Sequence, residues 1–252
     1  MSMQMQIIGI SGMPETQIGD YVGAQILEAC TASEIDILDG DILVVTQKII
    51  SKSEGRVIAI NDIEPSELAV SISEGHRRDP RHTELILRES RRIVRMDRGN
   101  IISETHHGFN CANAGIDASN IPGEGTVALL PVDPDKSAYG IRRSISDAIG
   151  IDVAVIISDT FGRPWRTGAV NVAIGVSGME PMESYVGEED DNGNLMYTTV
   201  ICVADELAAA SELVMGKTSR IPVALIRGYE YTSSDSASNQ LLIRDPDKDM
   251  FR

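Results

Sequence analysis

Short apolar runs rich in Ile, Val and Ala alternate along the chain with longer amphipathic stretches, and Gly, Pro or Asp bounds most of the runs. Runs that short and that β-branched predict strands, and the longer stretches of about 12 to 16 residues predict helices. The strands expected are Gln6–Ile10, Asp41–Ser51, Arg56–Ile60, Ile101–Glu104, Thr126–Pro131, Asp152–Ser158, Val170–Val176, Tyr197–Cys202 and Pro222–Arg227. The helices expected are Tyr21–Cys30, Ser66–Gly75, Thr83–Asp97, Lys136–Ile149 and Ala204–Met215. Several strands follow one another without a helix between them, so strict βαβ alternation fails and the pattern favours α+β over a doubly wound sheet. No repeat or low-complexity hinge divides the chain, which reads as one domain over residues 1–252 with room for two interleaved subdomains.

Composition narrows the function. Acidic residues number 38 against 22 Lys and Arg, a formal net charge of -16, which disfavours nucleic acid and anionic membranes as partners. No apolar run approaches the ~20 residues of a membrane span, and the start Met1-Ser2-Met3 has no signal-peptide pattern, so a cytoplasmic protein is expected. Cys30, Cys111 and Cys202 are odd in number and far apart, which fits a reduced compartment rather than a disulfide framework or a zinc ribbon. From His76 to Arg98 eight Arg face four acids. That run reads either as a solvated face with i,i+4 pairs such as Glu84 with Arg88, or as a docking surface for an anion or a second subunit.

Candidate chemistry lies in a few segments. The stretch from His106 to Asn120 follows neither helix nor strand period, and Asp117 and Asn120 stand on it either as functional groups or as Asx-turn residues. The buried run ending at Ser158 delivers Asp159 and Thr160 at a strand end, where carboxylates often serve as catalytic groups or as hard ligands for Mg²⁺ or Mn²⁺. The alternative is that Asp159 caps a turn over Thr160-Phe161-Gly162. Arg163 and Arg166 flank the single Trp, and their forks suit carboxylate or phosphate oxygens, or else offset the acidic stretch Glu180–Asp191. Lys48 and Lys52 could reach phosphates from the end of a strand or simply protect its edge. Gly216-Lys217-Thr218-Ser219 imitates the end of a P-loop, but a helix precedes it and Ser211 stands where the first Gly is required.

Together, Gly12-Met13-Pro14-Glu15, Ile50-Ser51-Lys52-Ser53-Glu54-Gly55-Arg56, Asn113-Ala114-Gly115-Ile116-Asp117-Ala118-Ser119-Asn120 and Ser158-Asp159-Thr160-Phe161-Gly162-Arg163 resemble the coenzyme F420-0:L-glutamate ligase family, in order over nearly the whole chain. The resemblance implies a GTP-dependent ligase that joins L-glutamate by an amide bond to F420-0, adds further γ-linked glutamates through an acyl phosphate, and releases GDP and phosphate. It implies an α+β fold with mixed, largely antiparallel sheets and packed helices, and a homodimer. By the same resemblance Met13, Pro14, Glu15, Thr16, Gln47, Lys52 and Asn120 line the nucleotide, and Asp117, Asp159 and Thr160 hold divalent metal. The metal is Mg²⁺ or Mn²⁺, as one or two ions, with K⁺ admitted as well. Asp117, Asp159 and Arg163 are then the expected catalytic residues, and the loop Gly216–Pro222 a further nucleotide contact.

Two departures stand out. Gln47 replaces a small hydroxyl residue usual in the family, and the chain ends at Arg252 without the nitroreductase-like domain of actinobacterial relatives. Two rival readings stay open from sequence: an amide ligase for another carboxylate, and a GTP-binding module without turnover.

Overall fold

The computed structural model describes residues 4–74 and 78–250. Met1–Met3, Gly75 at the predicted helix end, His76 and Arg77 of the arginine run, and the last two residues lie outside the described residues. In chain order the elements are β1 (Gln6–Ile10), α1 (Val22–Ala32), β2 (Ile42–Thr46), α2 (Gln47–Ser53), β3 (Val57–Ala59), α3 (Glu67–Ser73), α4 (Pro80–Arg88), β4 (Ser90–Asp97), β5 (Asn100–Thr105), β6 (Asn110–Ala112), β7 (Thr126–Ala128), α5 (Pro134–Ile149), β8 (Ala154–Arg163), β9 (Arg166–Met179), β10 (Glu183–Ser184), β11 (Val200–Ile201), α6 (Val203–Met215), β12 (Val223–Arg227) and β13 (Ser233–Ser234).

A six-stranded sheet in the order β1-β12-β2-β8-β9-β13 forms the centre. Its apolar runs are continuous because both faces are covered. Leu43, Val45, Val155 and Ile157 turn to one side, where α1 and α5 supply Ile26, Ala29, Ile141 and Ile145. Ile42, Val44, Ala154 and Ile156 turn to the other, against Ala204, Leu207 and Ala208 of α6. Only β2 and β8 pair in parallel; the other ladders of this sheet are antiparallel. Parallel neighbours require a long crossover, and here residues 47–153 supply it. A third apolar cluster lies within that crossover, built from Leu85, Ile86, Ile101, Ile116, Val127 and Leu129, around the β4-β5-β6 and β3-β7 sheets. The fold is α+β with mixed, mostly antiparallel sheets and, among the described residues, no closed barrel.

Local chemistry explains where the helices sit. The Asp133 carboxylate accepts from the Lys136 amide, Pro134 occupies the first turn of α5, and Gly150 closes it at φ 74°. Gly175 of β9 is required by packing, since a Cβ there would lie 2.5 Å from the Pro134 carbonyl carbon.

Four expectations are corrected. The strand predicted over Asp41–Ser51 ends at Thr46 and continues as α2, whose buried residues Gln47, Ile50 and Ser51 recur at helical spacing. The helix predicted over Thr83–Asp97 runs from Pro80 to Arg88 and gives way to β4, because Ser90–Asp97 finds a ladder partner in β5. The strand predicted to end at Ser158 continues to Arg163, so Asp159 and Thr160 lie within a ladder opposite Val172 and Asn171 and cap no turn. The strand predicted over Tyr197–Cys202 shrinks to Val200–Ile201.

Candidate active site

Four segments converge at the end of the central sheet where β1 and β2 finish and β12 begins. They enclose a cleft of about 760 Å³. Gly12, at φ 79°, turns the chain out of β1 and delivers Met13, Pro14, Glu15 and Thr16 to one wall. The turn from β2 into α2 brings Lys48 and Lys52. The loop after the bridge at Asp117 brings Asn120, and the loop after α6 brings Lys217 and Arg220. Asn120 and Arg220, at φ 57° and 55°, hold left-handed backbone without being glycine, a conformation kept only where surrounding contacts enforce it. One such contact is the bond from Asn120 Nδ2 to the Lys217 carbonyl, 3.2 Å, which latches the two loops together.

Lys48, Lys52, Lys217 and Arg220 stand on the cleft against only Glu15 and Glu212. In a chain of net charge -16 this local reversal marks a site for a polyanion. The acids hold the lysines in place: Lys52 Nζ meets Glu15 Oε1 at 2.5 Å, and Lys217 Nζ meets Glu212 Oε1 at 3.6 Å. Lys48 and Lys52 are therefore cleft residues on a helix, not charges guarding a strand edge.

Asp117 lies near enough to Asp159 for its charge to act on the Asp159 carboxyl, and neither acid is among the residues lining the cleft. Lys48 Nζ lies 2.7 Å from Asp117 Oδ2 and bonds Ser119 Oγ at 2.7 Å. Burial alone would raise the Asp117 carboxyl, but the bonds from Lys48 and Ser119 hold it below its ordinary range. Asp159 has no ion pair among the described residues. Burial pushes its carboxyl up to about 6; the negative charge of Asp117 adds to that, while the Thr160 amide and the charges of Lys48 and Lys217 act against it. A half-buried carboxylate with no ion pair, under the negative charge of a second acid, is a place that favours a cation.

The remaining expected residues fall differently. Thr160 turns its hydroxyl to the other face of β8, where it donates to Asn171 Oδ1 at 2.6 Å and accepts from Lys217 Nζ. Asn171 in turn donates to Glu212 Oε2 at 2.9 Å. Arg163 is not brought to the site: four residues along a strand carry it about 13 Å from Asp159, and its guanidinium bonds the Thr167 carbonyl at 3.0 Å across its own hairpin turn. Gln47 does not line the cleft either, being fully buried against Ser51 at 2.7 Å. Thr16 lines it from below, with its hydroxyl bonded to Gln25 Oε1 at 3.0 Å. Sequence reasoning gave Glu212 no role and left Lys48, one turn before Lys52, open between reaching phosphates and protecting a strand edge. The arginine run is largely paired locally, as with Arg88 Nε to Glu84 Oε1 at 2.8 Å, and it stays outside the cleft lining.

Among the described residues no group of three or more His, Cys, Asp or Glu side chains gathers as a metal centre. Mg²⁺ and Mn²⁺ need less, since one or two carboxylates with waters and ligand phosphates suffice. The pair Asp117 and Asp159, with Asp159 unneutralised, fits such an ion. Among the described residues no helix is long and apolar enough to cross a membrane.

A basic cleft of this size near Asp117 and Asp159, in an α+β fold, has the volume and charge to accept a polyanionic ligand. Residues 11–228 match the family F420-0:Gamma-glutamyl ligase, and the chain belongs to it. It is 46% identical over 253 residues to the "Coenzyme F420:L-glutamate ligase" of Methanothermobacter thermautotrophicus, covering 99% of this chain and 100% of that one. The proteins of the same name from Methanopyrus kandleri and Methanocaldococcus jannaschii are 41% and 40% identical, over 88% and 99% of this chain and 89% and 97% of their own.

Proposed function

We propose that this chain ligates L-glutamate to coenzyme F420-0 with GTP as the phosphoryl donor. The observation that supports it most is the reversal of charge in the cleft, with Lys48, Lys52, Lys217 and Arg220 set beside Asp117 and Asp159. In this reading Lys52 and Lys217 bind and orient the polyphosphate, and Met13, Pro14 and Asn120 close around the rest of the nucleotide. Glu15 and Glu212 keep the two lysines aimed when the site is empty, and Lys48 orients Asp117. Asp117 and Asp159 would hold a divalent ion that offsets charge on the phosphate oxygens.

The acceptor carboxylate oxygen attacks the γ-phosphorus, the bond to the β–γ bridging oxygen breaks, and GDP leaves. The glutamate amine then attacks the acyl carbon, phosphate departs, and the amine's proton is released. Without the first step carboxylate oxygen is too poor a leaving group; with it, phosphate takes that role. Lysines fixed before the reaction begins need no reorganisation as charge develops. We further propose that the chain acts as a homodimer. The eight residues of β4, on the outer edge of the β4-β5-β6 sheet, are an exposed strand edge of the kind that pairs.

The test is mass spectrometry of the protein with F420-0, L-glutamate, GTP and Mn²⁺, omitting each in turn. Mass increments of glutamyl units that require GTP and metal are expected, and Lys52→Ala is expected to raise the GTP concentration needed by about tenfold. Unmodified F420-0 in the complete mixture would overturn the reading.

A further inference from the structure

We propose that Gln47 turns its side-chain carbonyl oxygen to the cation site of Asp117 and Asp159 and adds a neutral oxygen ligand there, rather than touching the nucleotide. This rests on reading the two acids as a divalent-ion site.

The argument begins with one proton. Ser51 Oγ lies 2.7 Å from Gln47 Oε1 and 2.6 Å from the Leu129 carbonyl oxygen. A hydroxyl carries a single proton, and with Oε1 toward Ser51 both neighbours are acceptors. In that orientation Gln47 Nε2 is buried with no partner among the described residues. Leu129 O is a backbone carbonyl and can only accept, so the Ser51 proton belongs to it. The Ser51 oxygen must then receive a hydrogen bond, and the amide end of Gln47 is the group placed to give it. The two ends of a carboxamide have nearly the same shape, so turning it over costs nothing sterically. The result is a satisfied chain from Gln47 Nε2 to Ser51 Oγ to Leu129 O. The same turn changes the orphan, because the unpartnered end of a side chain at 0% exposure becomes a carbonyl oxygen.

That oxygen belongs beside both acids. The parallel pairing of β2 with β8 sets Thr46 opposite Ser158, so Gln47 and Asp159 each follow by one residue. Thr46 is still extended, at φ -66° and ψ 138°. Alternation from Val45 and Ile157, which share one apolar cluster, therefore carries Gln47 and Asp159 to the same side of the sheet. Leu129 follows Ala128, whose backbone bridges Asp117. A buried carbonyl oxygen without a donor is costly, and a hard divalent ion between carboxylates is the partner that relieves it; amide oxygens are ordinary ligands of such ions.

The test uses the full chain and two titrations: Mn²⁺ alone, followed by electron paramagnetic resonance of the free ion, and GTP in EDTA, followed by calorimetry. Gln47→Ala is expected to weaken Mn²⁺ binding about tenfold or more and to leave metal-free GTP affinity unchanged. Gln47→Glu, close in shape, is expected to bind Mn²⁺ more tightly and settles the question if the alanine variant does not fold. Unchanged Mn²⁺ affinity in Gln47→Ala, no tightening in Gln47→Glu, or a loss of metal-free GTP affinity overturns the proposal. Wild-type protein that takes up no Mn²⁺ overturns the cation site itself, an outcome distinct from a site that survives the loss of Gln47.

Discussion

Replacing Asp159 by Asn keeps the shape of the side chain and removes its charge, and the structure sets opposite consequences for stability and turnover. Burial moves the Asp159 carboxyl from an ordinary 3.8 to about 6. At 1.36 kcal/mol per tenfold, holding it ionised in the folded chain costs about 3 kcal/mol, and about 2 after allowance for the part of the side chain that meets water. The raised value means that the folded state holds the proton more tightly than the unfolded one. The group therefore favours folding below pH 3.8, loses that advantage as pH rises through about 6, and imposes the full penalty above it. Asn escapes the penalty. In metal-free buffer at pH 8 the Asp159→Asn protein is expected to melt about 4 to 8 °C above wild type, with the gap closing near pH 4. The same substitution removes a ligand of the proposed cation, so on that proposal ligase turnover is expected to fall more than about 100-fold, and Mn²⁺ with GTP should raise the melting temperature of wild type only. Scanning calorimetry across pH checks the first part. A variant that melts lower than wild type at pH 8, or a gap independent of pH, would refute the account of Asp159 as a half-buried, unneutralised acid.

Two further outcomes follow from the fold. The Glu84 carboxyl is held down to about 2 by bonds from the Ser66 hydroxyl and amide and from Arg88, so its stabilisation is complete above pH 4.5 and disappears as pH falls through about 2. Glu84→Gln should cost about 1 to 2 kcal/mol at pH 7 and nothing below pH 2 by urea titration; an equal cost at both would contradict the bonding described. Gly175→Ala forces a Cβ to within 2.5 Å of the Pro134 carbonyl carbon, so β9 and α5 must part. It should cost at least about 2 kcal/mol by chemical denaturation, and a neutral effect would show that the contact is slack.

Much of the fold was legible because the signals were local. The carboxylate, proline and glycine at Asp133, Pro134 and Gly150 delimit α5 within a residue or two of its predicted span. The continuous apolar runs at Ile42–Thr46, Ala154–Ile157 and Val223–Arg227 announce strands buried on both faces. The signal failed where a partner distant in sequence decided the conformation. Ser90–Asp97 carries the Arg and Met of a helix, yet β5 holds it as a strand. Gln47–Ser53 continues an apolar strand run, yet burial of Gln47, Ile50 and Ser51 on one side bends it into a helix.

The site divides in the same way. Residue chemistry and order along the chain were enough to single out Asp117, Asp159, Lys52 and Asn120 as candidates, since carboxylates, lysines and turn residues announce themselves by type, whereas the Gly12–Thr16 turn took its role from the family resemblance alone. Distance was not encoded in that list. Asp117 lies 42 positions before Asp159, and only the pairing of β2 with β8 and the bridge from Asp117 to Ala128 set both beside Lys48. Arg163, close to Asp159 in sequence, is carried away because a strand extends by about 3.3 Å per residue. Gln47, next to a cleft lysine, is buried because successive side chains of α2 point about 100° apart, so Gln47 packs inward while Lys48 reaches the cleft. The sequence by itself determined which chemical groups were present; the tertiary structure alone decided which of them share one solvent-poor volume, because side-chain direction and long-range pairing are properties of the packed sheet.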